Sequence, residues 1–239
     1  MGGTPYPRPV TSTTPLPGPL ATGIEDATTS IDRDGELPAA ARVRLHRVVE
    51  TLGRQIHPEA ARYVRAKLAL TCASGGLGHL DEHPDLRAAA ASLLRATAAT
   101  MRGEHDVDEL EARYETAVAH ADDLLRSGSV APTVVYTLLA CAAAAATTLY
   151  DTDLDALGDG ELRSDPSDWE ACFLGSLAAS GGATWEGVVG DREARRRYWT
   201  WYLEVAVPHA WDPASPLLDP SLPPAVVARR PTTPPASDG

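Results

Sequence analysis

Thr133–Tyr150 reads TVVYTLLACAAAAATTLY, and the reading of this stretch decides the fold. No charged residue occurs between Arg126 and Asp151. Pro132 suits the first position of a helix, where an amide hydrogen would have no intrahelical acceptor. Val134, Leu138, Cys141, Ala145 and Leu149 recur at helical spacing, and alanine fills most of the remainder. At about 1.5 Å per residue such a helix is long enough to cross a bilayer. Alanine and threonine, however, do not drive a helix into lipid, and small side chains let neighbouring helices approach closely. The stretch is therefore expected to be the central buried helix of a soluble bundle, with no membrane partner.

The flanking sequence is helical in pattern on both sides. Upstream, a helix begins near Pro38, with Ala41, Leu45, Val48, Val49 and Leu52 facing inward, and stops at Gly53. A second follows Pro58 and ends in the glycines Gly75, Gly76 and Gly78. A third runs from about Pro84 to Met101, closed by Gly103. A fourth starts near Asp106 with acidic residues in its first turn, where the helix dipole favours them, and turns Leu110, Tyr114, Val118, Ala121 and Leu125 inward. Downstream of the central stretch comes an acidic linker, then a short helix from about Asp168 to Ala179, ended by Gly181 and Gly182. The last helix spans roughly Asp191 to Val207, and Pro208 marks its exit. Period-2 alternation with β-branched residues is absent, so no sheet is expected.

Residues 1–35 are rich in Pro, Thr and Gly, and residues 212–239 are rich in Pro. Such segments bury too little apolar surface to offset their ordering entropy and are expected to be disordered. Leu217, Leu218 and Leu222 are the apolar residues of the second tail that could dock. The expected architecture is all-α: one helical bundle, residues 36–211, of about seven helices around the Ala-rich helix, with disordered Pro-rich termini.

Across 239 residues the formal net charge is −12, which argues against a nucleic-acid binder and fits a basic protein partner. The N-terminus lacks the basic and apolar regions of a secretory signal. Cys72, Cys141 and Cys172 are sparse, odd in number and set in apolar helical patterns, which points to reduced core thiols in a cytoplasmic protein.

Few constellations carry chemistry. His79, Glu82 and His83 match H-x-x-E-H, a zinc-peptidase pattern whose histidines must share one helix face. Gly78 before it and Pro84 after it put the motif in a loop and at a helix start, so zinc is the minor reading. Asp151, Asp153 and Asp155 begin like a calcium loop, but Ala156 and Leu162 stand where the turn glycine and the bidentate glutamate belong. With Asp159, Glu161 and Asp165 they read instead as a solvated acidic loop, or as a contact surface for a basic partner. No nucleophile motif or phosphate loop occurs, and no cofactor is expected. Trp169, Phe173, Trp185, Trp199, Trp201 and Trp211 cluster near the C-terminal end of an aromatic-poor chain. Trp185, in a loop, is the one with the character of a binding residue. Arg195, Arg196 and Arg197 are expected to form a solvated face pairing with Asp191, Glu193 or the acidic linker.

The run from Asp165 through Trp169 to Phe173, the segment Ala178 to Ala183, and the blocks Arg196–Leu203 and Ala206–Trp211 together resemble the fifth-type family of predicted immunity proteins from bacterial polymorphic toxin systems. The resemblance is best from about Ala140 to Trp211. It implies an all-α cytoplasmic protein, without enzyme activity, that binds and neutralises a cognate toxin domain encoded beside it, a nuclease being one candidate. Trp169, Gly181, Gly182, Trp199, Trp201 and Pro208 are the shared residues, and they read as architectural. The toxin-binding candidates are Asp151, Asp153, Asp155, Asp159, Glu161, Asp165 and Trp185. The rival functions are a metal-dependent helical hydrolase using His79, Glu82 and His83, and an adaptor binding a small ligand within the bundle.

If the charge-free stretch is central, its alanines have no room beside them. Ala144→Leu should then destabilise the protein by roughly 1–3 kcal/mol through overpacking, read from denaturant melts; a neutral result would mean that this face is exposed.

Overall fold

The computed structural model describes residues 15–150, 170–182, 190–219 and 222. In chain order the helices are α1 (Gly18–Ser30), α2 (Ala39–Ile56), α3 (Ala60–Gly75), α4 (Pro84–Met101), α5 (Val107–Ser127), α6 (Pro132–Leu149) and α7 (Ala171–Ser180). Then α8 (Arg192–Trp201) runs on through a π turn (Tyr202–Ala206) into α9 (Val207–Trp211). A short 3-10 turn (Leu77–Leu80) links α3 to α4. The described residues contain no strand.

The charge-free stretch is the axis of the bundle. Every side chain of α6 from Val134 to Ala145 is buried, and α3, α4, α5 and α7 all pack against it. Among the described residues it is the one helix long and apolar enough to cross a membrane, yet its middle is enclosed by protein. Four neighbours fit around one helix because alanine holds their axes close. The second all-buried element is α7, whose residues from Ala171 to Ser180 are shielded throughout.

Local signals set the helix ends as the sequence suggests. Asp106 caps α5, its carboxylate accepting from the amides of Asp108 and Glu109 at 2.8 and 3.3 Å. Gly128 closes the same helix in the left-handed region, at φ 60°. Asp191 caps α8 in the same way, accepting from the amides of Glu193 and Ala194.

Four expectations need correction. The first concerns residues 1–35, which are not a tail throughout: α1 packs on α2, with Leu20 and Ala27 buried. After α1, Asp32 folds the chain into a tight turn, its carboxylate accepting from the amides of Asp34 and Glu36. Pro and Thr bias concealed this element, whose apolar residues are few: Leu20 and Ala27 are buried, and Leu16, Ile24 and Ile31 are partly buried against the core. Second, the chain after Asp212 also begins docked. Lys67, the single lysine of the chain, is buried and donates to the carbonyls of Asp212 and Ser215, each at 2.7 Å, and Leu217 is buried beyond them. Third, Pro208 does not end the last helix but lies inside it. The π turn just before it widens the backbone, so the missing proline amide and the bulk of its ring are absorbed without a break. Fourth, Leu125 faces outward, 45% exposed, because α5 meets the bundle along a narrow stripe on which only Leu110 and Ala121 are fully shielded.

Gly35 shows how closely the N-terminal turn is fitted. Its φ is +80°, and a Cβ there would run into the carbonyl oxygen of Arg192 at the start of α8. Gly35→Ala should cost roughly 2–4 kcal/mol in urea melts, from left-handed strain plus backbone displacement. A change below about 0.5 kcal/mol would mean that the turn is not held against α8.

Candidate functional site

The chain places a cation in its core. Arg42 on α2 is fully buried, its Nε donating to Glu170 Oε2 at 2.9 Å and its Nη1 to the Leu37 carbonyl. The guanidinium lies 4.9 Å from the Phe173 ring and 5.3 Å from the Trp199 ring, both of which favour a cation over their faces. Glu36 approaches the same guanidinium at 3.7 Å and Arg195 at 3.6 Å. His46, one turn along α2, sits between Glu170 Oε1 at 3.4 Å and the Tyr202 hydroxyl at 3.1 Å. The N-terminal turn, α2, the lead-in to α7 and α8 thus meet at one cluster of charge.

Burial sets the protonation states. It pushes the Glu36 carboxyl up to about 7, even with Arg42 and Arg195 opposing it. Burial acts on Glu170 in the same direction, but His46 and Arg42 outweigh it and hold that carboxyl below its usual value. Desolvation lowers His46, with the Glu170 carboxylate opposing the shift. The thiols are suppressed as nucleophiles: burial drives Cys72 and Cys141 up to about 12, and Cys172 well above its ordinary value.

The cluster also anchors the chain where the sequence placed its recognition residues. Asp151, Asp153, Asp155, Asp159, Glu161, Asp165, Trp169 and Trp185 lie outside the described residues. Their points of attachment are well defined. The acidic linker leaves α6 at Tyr150, whose hydroxyl donates to Glu111 Oε1 at 2.7 Å and whose ring meets Tyr114 edge-on at 5.9 Å, both on α5. It rejoins the structure at Glu170, inside the charge cluster. The Trp185 segment departs after Gly182 and returns at Gly190, and the Asp191 amide donates to the Ser180 carbonyl at 2.8 Å to close the gap. Gly181 and Gly182 have φ of 82° and 134°, so the turn out of α7 uses backbone that glycine adopts most readily. Trp199 and Trp201 are buried on α8 and serve as packing residues.

The basic run on α8 divides. Arg195 is buried rather than solvated, donating to Ser180 Oγ and the Gly182 carbonyl at 3.1 Å each while facing Glu36. Arg196 donates to the Asp32 carbonyl at 2.6 Å. Among the described residues, only Arg197 meets the expected partners, Asp191 and Glu193; the acidic linker lies outside them.

A surface feature that sequence reading missed is the outer side of α5. Asp108, Glu109, Glu115, Asp122 and Asp123 are all exposed there, beside the root of the acidic linker. Helical spacing of these carboxylates was the available signal. The zinc pattern is dispersed by contrast. His79 lies in the 3-10 turn, His83 stands at the entry to α4, and Glu82 is exposed between them. No three His, Cys, Asp or Glu side chains gather as a metal site among the described residues.

Residues 24–209 match the family model described as "Immunity protein Imm5". The match begins within α1, in agreement with the packing of that helix, and ends within α9. No curated protein matches the chain.

Glu170 is the main counterion of a fully buried cation. Glu170→Gln should therefore cost about 3–5 kcal/mol, because the guanidinium would keep its desolvation penalty without its partner. Since the folded carboxyl lies below its ordinary value of 4.5, its contribution is present above that pH and is lost as pH falls through the folded value. Urea melts at several pH values check both points; a loss under about 1 kcal/mol at neutral pH would show that other groups compensate Arg42.

Proposed function

This chain belongs to the Imm5 immunity protein family, and from that premise we propose that it binds and neutralises a toxin domain encoded beside it, acting in the cytoplasm as a stoichiometric inhibitor and not as an enzyme. Family membership carries the reading. Occlusion by a preformed helical surface is the mechanism, with charge raising the encounter rate.

The recognition surface in this proposal is the acidic linker, Asp151 to Asp165, together with the outer face of α5 and with Trp185 as an aromatic contact. A dense set of carboxylates needs compensating cations. The arginine run of α8 is engaged elsewhere: Arg195 with Ser180, Gly182 and Glu36, Arg196 with Asp32, and Arg197 with Asp191 and Glu193. That occupancy supports a partner as the source of the missing positive charge. Tyr150 supports it further, since its bond to Glu111 starts the linker against a face that is already acidic. Loops projecting from a rigid scaffold are common places for recognition residues.

Co-expression with the toxin domain of the adjacent gene tests the function. Growth should be rescued and a complex recovered; failure of both removes the proposal. Replacing Asp151, Asp153 and Asp155 together by Ser should slow association at low salt, with the difference fading as salt rises, and should leave the melting temperature unchanged or slightly higher. An association rate equal to wild type at low salt would exclude the linker from recognition.

A further inference from the structure

After α9 the chain does not leave the bundle at once. Residues 212–218 lie against α3 and are held there by two side chains of the bundle. Lys67 of α3 is fully buried, and its Nζ donates to the carbonyls of Asp212 and Ser215, each at 2.7 Å. His209 of α9 donates from Nε2 to the Pro216 carbonyl at 3.0 Å. The segment also bonds within itself: the Asp212 carboxylate accepts from the Ala214 amide at 3.0 Å, and the Asp212 carbonyl from the Ser215 amide at 3.1 Å. Leu217 is buried and Leu218 partly so, whereas Pro213, Ala214 and Pro216 are exposed.

We propose that residues 212–218 form a strap that opens and closes as a unit while the bundle stays folded, with Lys67 as its latch. Three features set the strap apart from the bundle. Its apolar anchorage is slight, one buried leucine and one partly buried, and segments with few buried apolar contacts open at the lowest free energies in a fold. Its latch works against its own hydration: burial lowers the Lys67 amine to about 8, with the Asp212 carboxylate opposing the shift. Opening returns the ammonium and both carbonyls to water, which replaces part of the lost hydrogen bonding, so the closed and open arrangements lie close in free energy. The ties of the bundle, finally, lie elsewhere. Arg42, Glu170, Glu36 and Arg195 join the N-terminal turn, α2, the lead-in to α7 and α8, and opening breaks none of those contacts. The match to the family model ends at residue 209, before the strap begins. One chemical consequence follows. Lys67 is the single lysine of the chain, so the closed strap withholds its side-chain amine from reagents and the open strap releases it.

The test acylates the full chain with a water-soluble succinimidyl ester and reads Lys67 by peptide mass spectrometry, which separates it from the terminal amine. Labelling should be at least about a hundredfold slower than that of a lysine in a short peptide. Below the unfolding transition its rate should rise with urea, at less than about half the slope of global unfolding, because opening the strap exposes little surface. Leu217→Ser removes the apolar anchor and should speed labelling at least about tenfold, while the helices melt within about 2 °C of wild type. Lys67→Ala leaves both carbonyls without their donor and should raise protease cleavage between Leu217 and Leu218 at least about tenfold, with the helices again intact. A urea slope equal to that of global unfolding would mean that Lys67 is reached only when the whole bundle unfolds, and would overturn the strap. Labelling as fast as in the short peptide would overturn it from the other side, since the strap would never be closed. Unchanged cleavage in Lys67→Ala would remove Lys67 as the latch. Should either variant melt early, the urea slope of the wild-type chain still decides.

Discussion

A guanidinium shut away from solvent must be answered by the groups around it, and in this protein that group is Arg42. Its partners come from four parts of the chain: the carbonyl of Leu37, the carboxylates of Glu36 and Glu170, and the rings of Phe173 and Trp199. Removing any of these leaves charge in a medium that solvates it poorly, so the N-terminal turn, α2, α7 and α8 are held to one arrangement. Arg195 extends the constraint, linking Glu36 to the turn that leaves α7. A hydrophobic replacement could be equally stable, since buried ion pairs are weak sources of net stability. What the cluster provides is a single way of assembling elements far apart in sequence.

Around this polar node the packing is ordinary in kind and unusual in grain. The axis α6 is mostly alanine, and α7 packs on it through residues of which none is exposed. Small side chains bring helices close but leave little tolerance: where alanines face one another without a filling residue, as between α4 and α5, space remains. The same composition that makes the core dense therefore leaves that space open. Both follow from the reach of a methyl group.

Placement of the two segments expected to recognise a partner follows from these constraints. One starts at Tyr150, tied to α5, and ends at Glu170 in the charge cluster; the other starts and ends beside Ser180. Anchoring of this kind fixes where each segment leaves and rejoins the domain. For the toxin binding proposed here, a preformed scaffold with concentrated negative charge favours both fast and tight association.

The sequence by itself determined the helical class, the central role of the charge-free stretch, the caps at Asp106 and Asp191, the reduced thiols and the family. Each of these is written locally, in spacing, composition or a short run of residues, because helix formation and capping are governed by neighbours within a few positions. Tertiary structure alone decided that residues 18–35 belong to the domain, that Arg42 and Lys67 are core residues, that Arg195 leaves its neighbours to become buried, and that Pro208 lies inside a helix. It also decided that α5 turns a row of carboxylates outward. A charged side chain reads as surface in any local window. Whether it is buried depends on a carboxylate or carbonyl that the fold brings from as far as 128 positions away, as Glu170 is brought to Arg42, and no periodicity in the chain records that meeting.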